Sequence, residues 1–303
     1  MDSELVNYFN SNDVEDLLRF YASFQSLDQI ADWLKALPKP RPRIHHERGD
    51  VESDIAVIIP TPDVENNFSK NCKTNVFSGL DIYFSVDSSP SFNLAHSYNT
   101  VSKSFKTNKE VNWIIFSNVD MFQIDPPGKL ISELKSLDPE SETFAYARSR
   151  GSHNISWRIG PDSVAGGLMS HLSKNITLLR KLRRRLNIIY NIEEEKNHTF
   201  MPHAVKGKYS VRNGGDFYIF SSVLLKRFNY VPFDEVYLNG LEDIDLSIRL
   251  NENTRPEDFR QLNYDIGSFP AGIRGRDNVR FIRDLANLAY FNFKINNKLL
   301  ILK

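Results

Sequence analysis

A chain of 303 residues with 41% hydrophobic and 12% aromatic side chains has the apolar matter for one large domain and an appendage, which excludes a disordered protein. Its 38 Lys and Arg balance 38 Asp and Glu, so no global field recommends nucleic acid or an acidic surface as the partner. The single cysteine, Cys72, excludes an internal disulfide framework and fits a reducing compartment.

The opening MDSELVNYF is acidic and lacks the basic start and apolar core of a targeting segment, and no stretch approaches ~18 uninterrupted apolar residues. A soluble, cytoplasmic protein is expected, at most peripheral to a membrane. Val14, Leu17, Leu18, Tyr21 and Phe24 recur at helical spacing behind Asn12, a good N-cap. Ser26 with Gln29 then makes a capping box ahead of Leu27, Ile30, Ala31, Leu34 and Leu37. Two amphipathic helices are thus predicted, and they stop at Pro38, Pro40 and Pro42, whose alternation favours an extended, semi-rigid connector. The appendage and connector together cover residues 1–46. His45 and His46 fall in the connector and are expected to be solvated.

From Asp54 the pattern becomes α/β. IAVII (55–59), closed by Pro60-Thr61-Pro62, predicts a strand buried on both faces. LDIYFSVD (80–87) is a second strand, followed by a helix through Phe92, Ala95, Tyr98 and Val101, and NWIIFS (112–117) is a third. Strand, helix, strand in this rhythm implies parallel pairing, with ligands gathering beyond the carboxyl ends of the strands, at Thr61, Asp87 and Asn118-Val-Asp120. No GxGxxG or GxxxxGK[ST] follows any of these strands, so neither the usual dinucleotide fold nor a P-loop is supported. A polar residue two positions before a carboxylate, as in FSNVDM (116–121), suits a divalent cation holding a diphosphate; Asn and Asp also simply favour strand-ending turns. Further on, FDEVYLNGLEDIDLSIRL (233–250) places Glu242, Asp243 and Asp245 in the first turn of an amphipathic helix backed by Leu246, Ile248 and Leu250.

Taken in order, FNLAHSYN (92–99), IIFSNVDMFQIDP (114–126), GGDFYIFSS (214–222) and FDEVYLNGLEDIDLSIRL resemble the motifs of the beta-1,4-galactosyltransferase family and its chondroitin N-acetylgalactosaminyltransferase relatives. The likeness spans roughly residues 54–280. Those proteins are nucleotide-sugar-dependent glycosyltransferases of the GT-A fold. Leu94 stands where the resembled motif has arginine, Asn118 where its metal motif has aspartate, and Leu241 where it has a second glycine. A metal-binding histidine of that family aligns with Gly275.

What the resemblance implies is an α/β, Rossmann-like mixed, mainly parallel sheet flanked by helices, covering residues 47–303. It implies that Pro60, Thr61 and Asp87 line a nucleoside pocket, that Asn93, Asn118, Gly214 and Gly215 contact the nucleotide-sugar, and that Asp120 binds metal and diphosphate. Asp243 would be the catalytic base and Glu242 would orient the acceptor. Arg274 and Arg276 either neutralise the leaving diphosphate or are solvated surface. The implied reaction moves a hexose from a UDP-sugar to the hydroxyl of a glycan, lipid-linked or protein acceptor with inversion. With Gly275 in the histidine's place, Mn2+ or Mg2+ is expected to bind weakly and to depend on the nucleotide. A nucleotide-sugar-binding module without turnover and a two-carboxylate glycoside hydrolase are the alternatives.

Residues 162–210 read as an insertion. Leu178, Leu179, Leu182, Leu186 and Ile189 form an apolar stripe on a helix loaded by Arg180, Lys181, Arg183, Arg184 and Arg185. That helix either lies on an anionic membrane surface or packs on the domain with a solvated basic face. His153, His171, His198 and His203 lie in or near it, and any one of them is a surface residue or a replacement metal ligand.

Overall fold

The computed structural model describes residues 3–89, 92–107, 111–150, 157–159, 209–211, 216–253 and 255–269, and single positions between 283 and 299. The insertion helix, Gly214, Gly215, Arg274, Gly275 and Arg276 lie outside the described residues. The chain divides into two units, one of Met1–Pro38, Trp157–Val211 and Ile273–Lys303 and the other of Lys39–Ser156 and Arg212–Gly272.

In the first unit the N-terminal residues form three helices, α1 (Ser3–Asn10), α2 (Val14–Ala22) and α3 (Leu27–Ala36). The N-cap of α2 is Asp13, not Asn12: its Oδ1 accepts from Glu15 N at 2.8 Å, while Asn12 Oδ1 accepts from Arg283 Nη2 at 3.0 Å. Either residue has the short acceptor a cap requires, and only the path of the chain chooses between them. Ser26 caps α3 through Gln29 N, and Gln29 Oε1 reaches back to Gln25 N at 2.8 Å, closing the box one residue earlier than the ideal pattern. Phe20 fills the centre, its ring 5.0 Å from Phe9 and 4.7 Å from Trp33. Arg283 donates to the carbonyls of Phe9, Asn10 and Ser11, which the end of α1 leaves without intrahelical donors. A short antiparallel pair, β7 (Trp157–Ile159) and β8 (Tyr209–Val211), belongs to this unit.

The second unit is built on an eight-stranded sheet, in the order β1 (Arg43–Glu47), β3 (Asp81–Val86), β2 (Ile55–Thr61), β4 (Trp113–Ser117), β9 (Phe217–Ser221), β6 (Phe144–Arg150), β10 (Phe259–Ser268) and β5 (Met121–Gln123). The pairs β3–β2, β2–β4 and β6–β10 are parallel and the others antiparallel. The sheet is therefore mixed rather than mainly parallel, because β9 enters between β4 and β6 running the other way. A run such as FYIFS buries equally well in either direction, so its composition carries no sign of orientation. Residues 43–46, expected in the connector, pair instead with β3 along the sheet edge, together with Glu47. The proline run ends at Pro42, and from Arg43 every backbone amide can enter a ladder. His45 and His46 sit on this edge, His46 stacked on Tyr83 with the ring centres 4.1 Å apart.

Every residue of β2 is buried, as a strand covered on both faces requires. On one face Ile55, Val57 and Ile59 join Trp113, Ile115 and Phe84 with Leu130 and Leu134 of α6 (Pro127–Lys135) and with Cys72 and Val76, which follow α4 (Asn67–Asn71). On the other face α5 (Leu94–Ser102) sets Tyr98 against Phe116 and Phe233. Two further helices, α7 (Ser222–Arg227) and α8 (Glu242–Asn253), follow β9. The α/β class is established, and among the described residues no helix is long and apolar enough to cross a membrane.

The turn into β3 depends on a close backbone approach. A Cβ on Gly49 would lie 2.2 Å from Gly79 O and 2.6 Å from Leu80 C, and neither is a side-chain end that can swing aside. Gly49→Ala is expected to lower stability by about 1–3 kcal/mol, read as a lower urea midpoint at unchanged slope. A midpoint equal to wild type would show that this turn is free to open.

Candidate active site at the carboxyl ends of the parallel strands

Strands β3, β2 and β4 run parallel, so Asp87, Thr61 and Asn118 come to one end of the sheet. Thr61 is fully buried and already occupied: its Oγ1 lies 2.9 Å from Asp63 O and 2.9 Å from Ser69 Oγ, and it accepts from Asn66 Nδ2 at 3.1 Å. With buried Pro60 it shapes the loop after β2. Asp87 N donates to Thr61 O at 3.0 Å and Asp87 Oδ1 accepts from Ser89 N at 2.9 Å. Its Oδ2 is buried and makes no hydrogen bond among the described residues.

At the end of β4 the antiparallel neighbour β9 begins, which brings Asp216 beside Asn118. Asn118 N donates to Asp216 O at 2.9 Å and Asn118 Nδ2 to Asp216 Oδ1 at 3.0 Å. Asn118 Oδ1 accepts from the Tyr98 hydroxyl at 3.0 Å. Asp120 is 8% exposed, and its carbonyl accepts from Phe269 N at 2.9 Å, which ties it to the end of β10. Burial raises the pKa of the Tyr98 hydroxyl far above its ordinary value, and the charges of Asp216, Glu242 and Asp120 push it in the same direction. Carboxylates from three distant stretches thus act on one point. Asp216 was missed as a site residue, although the Gly214-Gly215-Asp216 run that precedes β9 carries it.

Helix α5 grips the loop that leads into α8. Asn93 caps α5 by accepting from His96 N at 2.8 Å, and its Nδ2 donates to Glu235 O at 2.9 Å and Tyr237 O at 3.0 Å. Asn93 is 1% exposed with both amide hydrogens used, so it holds the loop instead of reaching outward. Asn99 and Asn239 add bonds at Phe233 and Phe92. Past this loop, Leu241 takes φ 70°, a left-handed conformation that explains why glycine suits the position. Glu242 is buried and Asp243 half-exposed in the first turn of α8, whereas Asp245 points inward to Arg249 and to the Tyr237 hydroxyl at 3.1 Å. The acidic turn therefore splits: Asp245 secures the helix, the charge of buried Glu242 acts on Tyr98, and Asp243 is half-exposed.

Glu235 is the hub of the grip. Its carboxylate meets His96 Nδ1 at 2.7 Å, Asn99 Nδ2 at 3.0 Å and Lys103 Nζ at 3.1 Å. Burial pushes its pKa up, yet the His96 and Asn99 hydrogen bonds and the His96 and Lys103 charges win and hold it at about 2. A carboxyl depressed from 4.5 adds stability above that value and loses it as pH falls towards about 2. Glu235→Gln is expected to cost up to ~3 kcal/mol at neutral pH, a difference that vanishes through this acid window. Parallel denaturation curves at pH 7 and below 3 check it; a penalty of equal size at both would mean the charge contributes nothing.

Among the described residues no three His, Cys, Asp or Glu side chains stand close enough to hold a metal ion unaided. Asp120 and Asp216 bring carboxylates to this end of the sheet, whereas the Asn118 amide spends its oxygen on the Tyr98 hydroxyl and its NH2 on Asp216. No model of a known protein family matches the chain, and no curated protein matches it.

Proposed function

We propose that the chain is a nucleotide-sugar-dependent glycosyltransferase with a GT-A-like domain, which moves a hexose from a UDP-sugar to an acceptor hydroxyl with inversion. One observation carries the reading: at the carboxyl end of parallel β4, Asn118 is bonded both to Asp216 and to the buried Tyr98 hydroxyl, two residues before buried Asp120, at the edge where α/β sheets hold ligands. Asp243, at the outer side of the same turn as Glu242, is the general base. As the acceptor oxygen attacks the anomeric carbon, its proton passes to Asp243, and the bond from that carbon to the diphosphate breaks with the electron pair leaving on UDP. Glu242 orients the acceptor. Asp120 and Asp216 would hold a cation that, when bound, offsets the charge of the departing diphosphate.

A thermal-shift series over nucleoside diphosphates and their sugars, with and without manganese, tests the reading, because a ligand of the native state raises its melting temperature. UDP and a UDP-sugar are expected to raise it, more so with manganese. No shift with any nucleotide overturns the reading, and cleavage of a glycan without nucleotide would replace it with hydrolysis.

A further inference from the structure

Strand β1 is the outermost strand of its sheet. It pairs with β3 along one side, and among the described residues no strand pairs with the other, so alternate backbone N–H and C=O groups open on solvent. Its side chains fall into two rows. Arg43, His45 and Glu47 share the face of Lys73, whose Nζ lies 2.9 Å from Glu47 Oε2 and 5.7 Å from the centre of the Phe84 ring. Ile44 and His46 share the other face, where Ile44 is 41% exposed and His46 is stacked on Tyr83. Arg43 is exposed and makes no ion pair or hydrogen bond among the described residues. The strand thus begins on a cation and ends on an anion. The hydrogen bond from Lys73 outweighs burial and lowers the pKa of the Glu47 carboxyl, so the anion persists at neutral pH.

We propose that the open side of β1 docks on the same strand of a second copy of this chain, antiparallel and centred on His45, to make one continuous sheet across a two-fold dimer. The assignment is independent of the transferase reading. Opposed residues of an antiparallel pair point to the same face, so a two-fold axis normal to the sheet has to pass through a residue. An axis at His45 is the register that pairs the whole of Arg43–Glu47. It sets Arg43 opposite Glu47 of the second copy at both ends of the ladder, with exposed Arg41 diagonal to the same carboxylate. It lays Ile44 opposite His46 of the second copy, whose imidazole rests on Tyr83. His45 meets its own copy at the axis, with its Nε2 3.3 Å from Glu47 Oε2 of its own chain. A parallel pairing would place Arg43 against Arg43 and Glu47 against Glu47. Axes at Ile44 or His46 would break the Arg43–Glu47 matches, so the charges select one arrangement. A ladder this short makes a small interface, populated as concentration rises.

The self-complementary charges make the test. Sedimentation velocity over a concentration series at neutral pH is expected to show wild type passing from monomer to dimer. Arg43→Glu opposes Glu47 of the second copy and Glu47→Lys opposes its Arg43, so each variant alone should weaken self-association by roughly tenfold or more. Mixed in equal amounts, the two variants bring unlike charges together at both ends of the ladder and should form a heterodimer with affinity near that of wild type. Ile44→Lys, at an exposed position on the other face, should also weaken the dimer while leaving the Glu47–Lys73 pair in place. If Glu47→Lys fails to fold for want of that pair, Arg43→Glu and Ile44→Lys still decide, because both change exposed side chains. Loss of the dimer in both supports the pairing. A wild type that stays monomeric at every concentration overturns the proposal, and binding of an acidic extended peptide to that monomer would assign the edge to a different protein. A dimer that survives Arg43→Glu and Ile44→Lys uses another surface and overturns it too, as does a mixture of folded charge variants that remains monomeric.

Discussion

Asp243→Asn should leave the fold and UDP-sugar affinity as they are and reduce transfer by ~10²–10⁴-fold, because an amide keeps the shape of a carboxylate and cannot take a proton. Asp243 Oδ1 accepts from Ile244 N at 2.8 Å, a bond the amide oxygen of asparagine reproduces, so the start of α8 has no reason to shift. Comparison of kcat with donor affinity separates the cases. A fall in kcat at constant affinity marks a group that acts in the transition state, whereas turnover within a few-fold of wild type would remove Asp243 from the base role. The conservative control is Asp245→Asn in the same turn. Asp245 faces the interior, so its change should act on stability first and on chemistry through it.

The second large effect is expected at Arg249. Its Nε donates to Asp245, which is fully buried, and its Nη2 donates to Pro232 O at 2.6 Å while the guanidinium lies over the Phe228 ring. Arg249→Met keeps an unbranched stem and deletes the charge that meets Asp245 Oδ1, while the Tyr237 hydroxyl stays on Asp245 Oδ2 at 3.1 Å. A buried carboxylate stripped of its partner typically costs ~3–5 kcal/mol, which is a large share of the ~5–15 kcal/mol that a domain has. Asp245→Leu added to Arg249→Met should recover part of the loss, since replacing both members of a buried pair is far milder than removing one. Urea denaturation of the two variants decides it; a loss below ~1 kcal/mol for Arg249→Met would mean that water reaches Asp245. The consequence reaches the site, because the Pro232–Leu241 loop held by this pair and by α5 delivers Glu242 and Asp243.

Local patterns in the chain determined the elements. The apolar run 55–59 became β2, the hydrophobic spacing after Asn93 became α5, and Ser26 caps α3, because burial on two faces, 3.6-residue periodicity and a short acceptor before a helix are properties of neighbouring residues. The same locality brought Thr61, Asp87 and Asn118 to one sheet end once the parallel order was inferred. Tertiary structure alone decided the rest. Strand direction is set by the connections and not by strand composition, so the antiparallel entry of β9 and the edge position of β1 were illegible. For that reason Asp216, nearly a hundred residues from Asn118, was not seen as its partner. Polar residues also read alike whether they serve a ligand or the fold. Thr61 and Asn93 spend their hydrogen bonds inside the protein, Asp245 is paired with Arg249, and the charge of Glu242 acts on Tyr98. Only the packing around each group determines which of its donors and acceptors are already used.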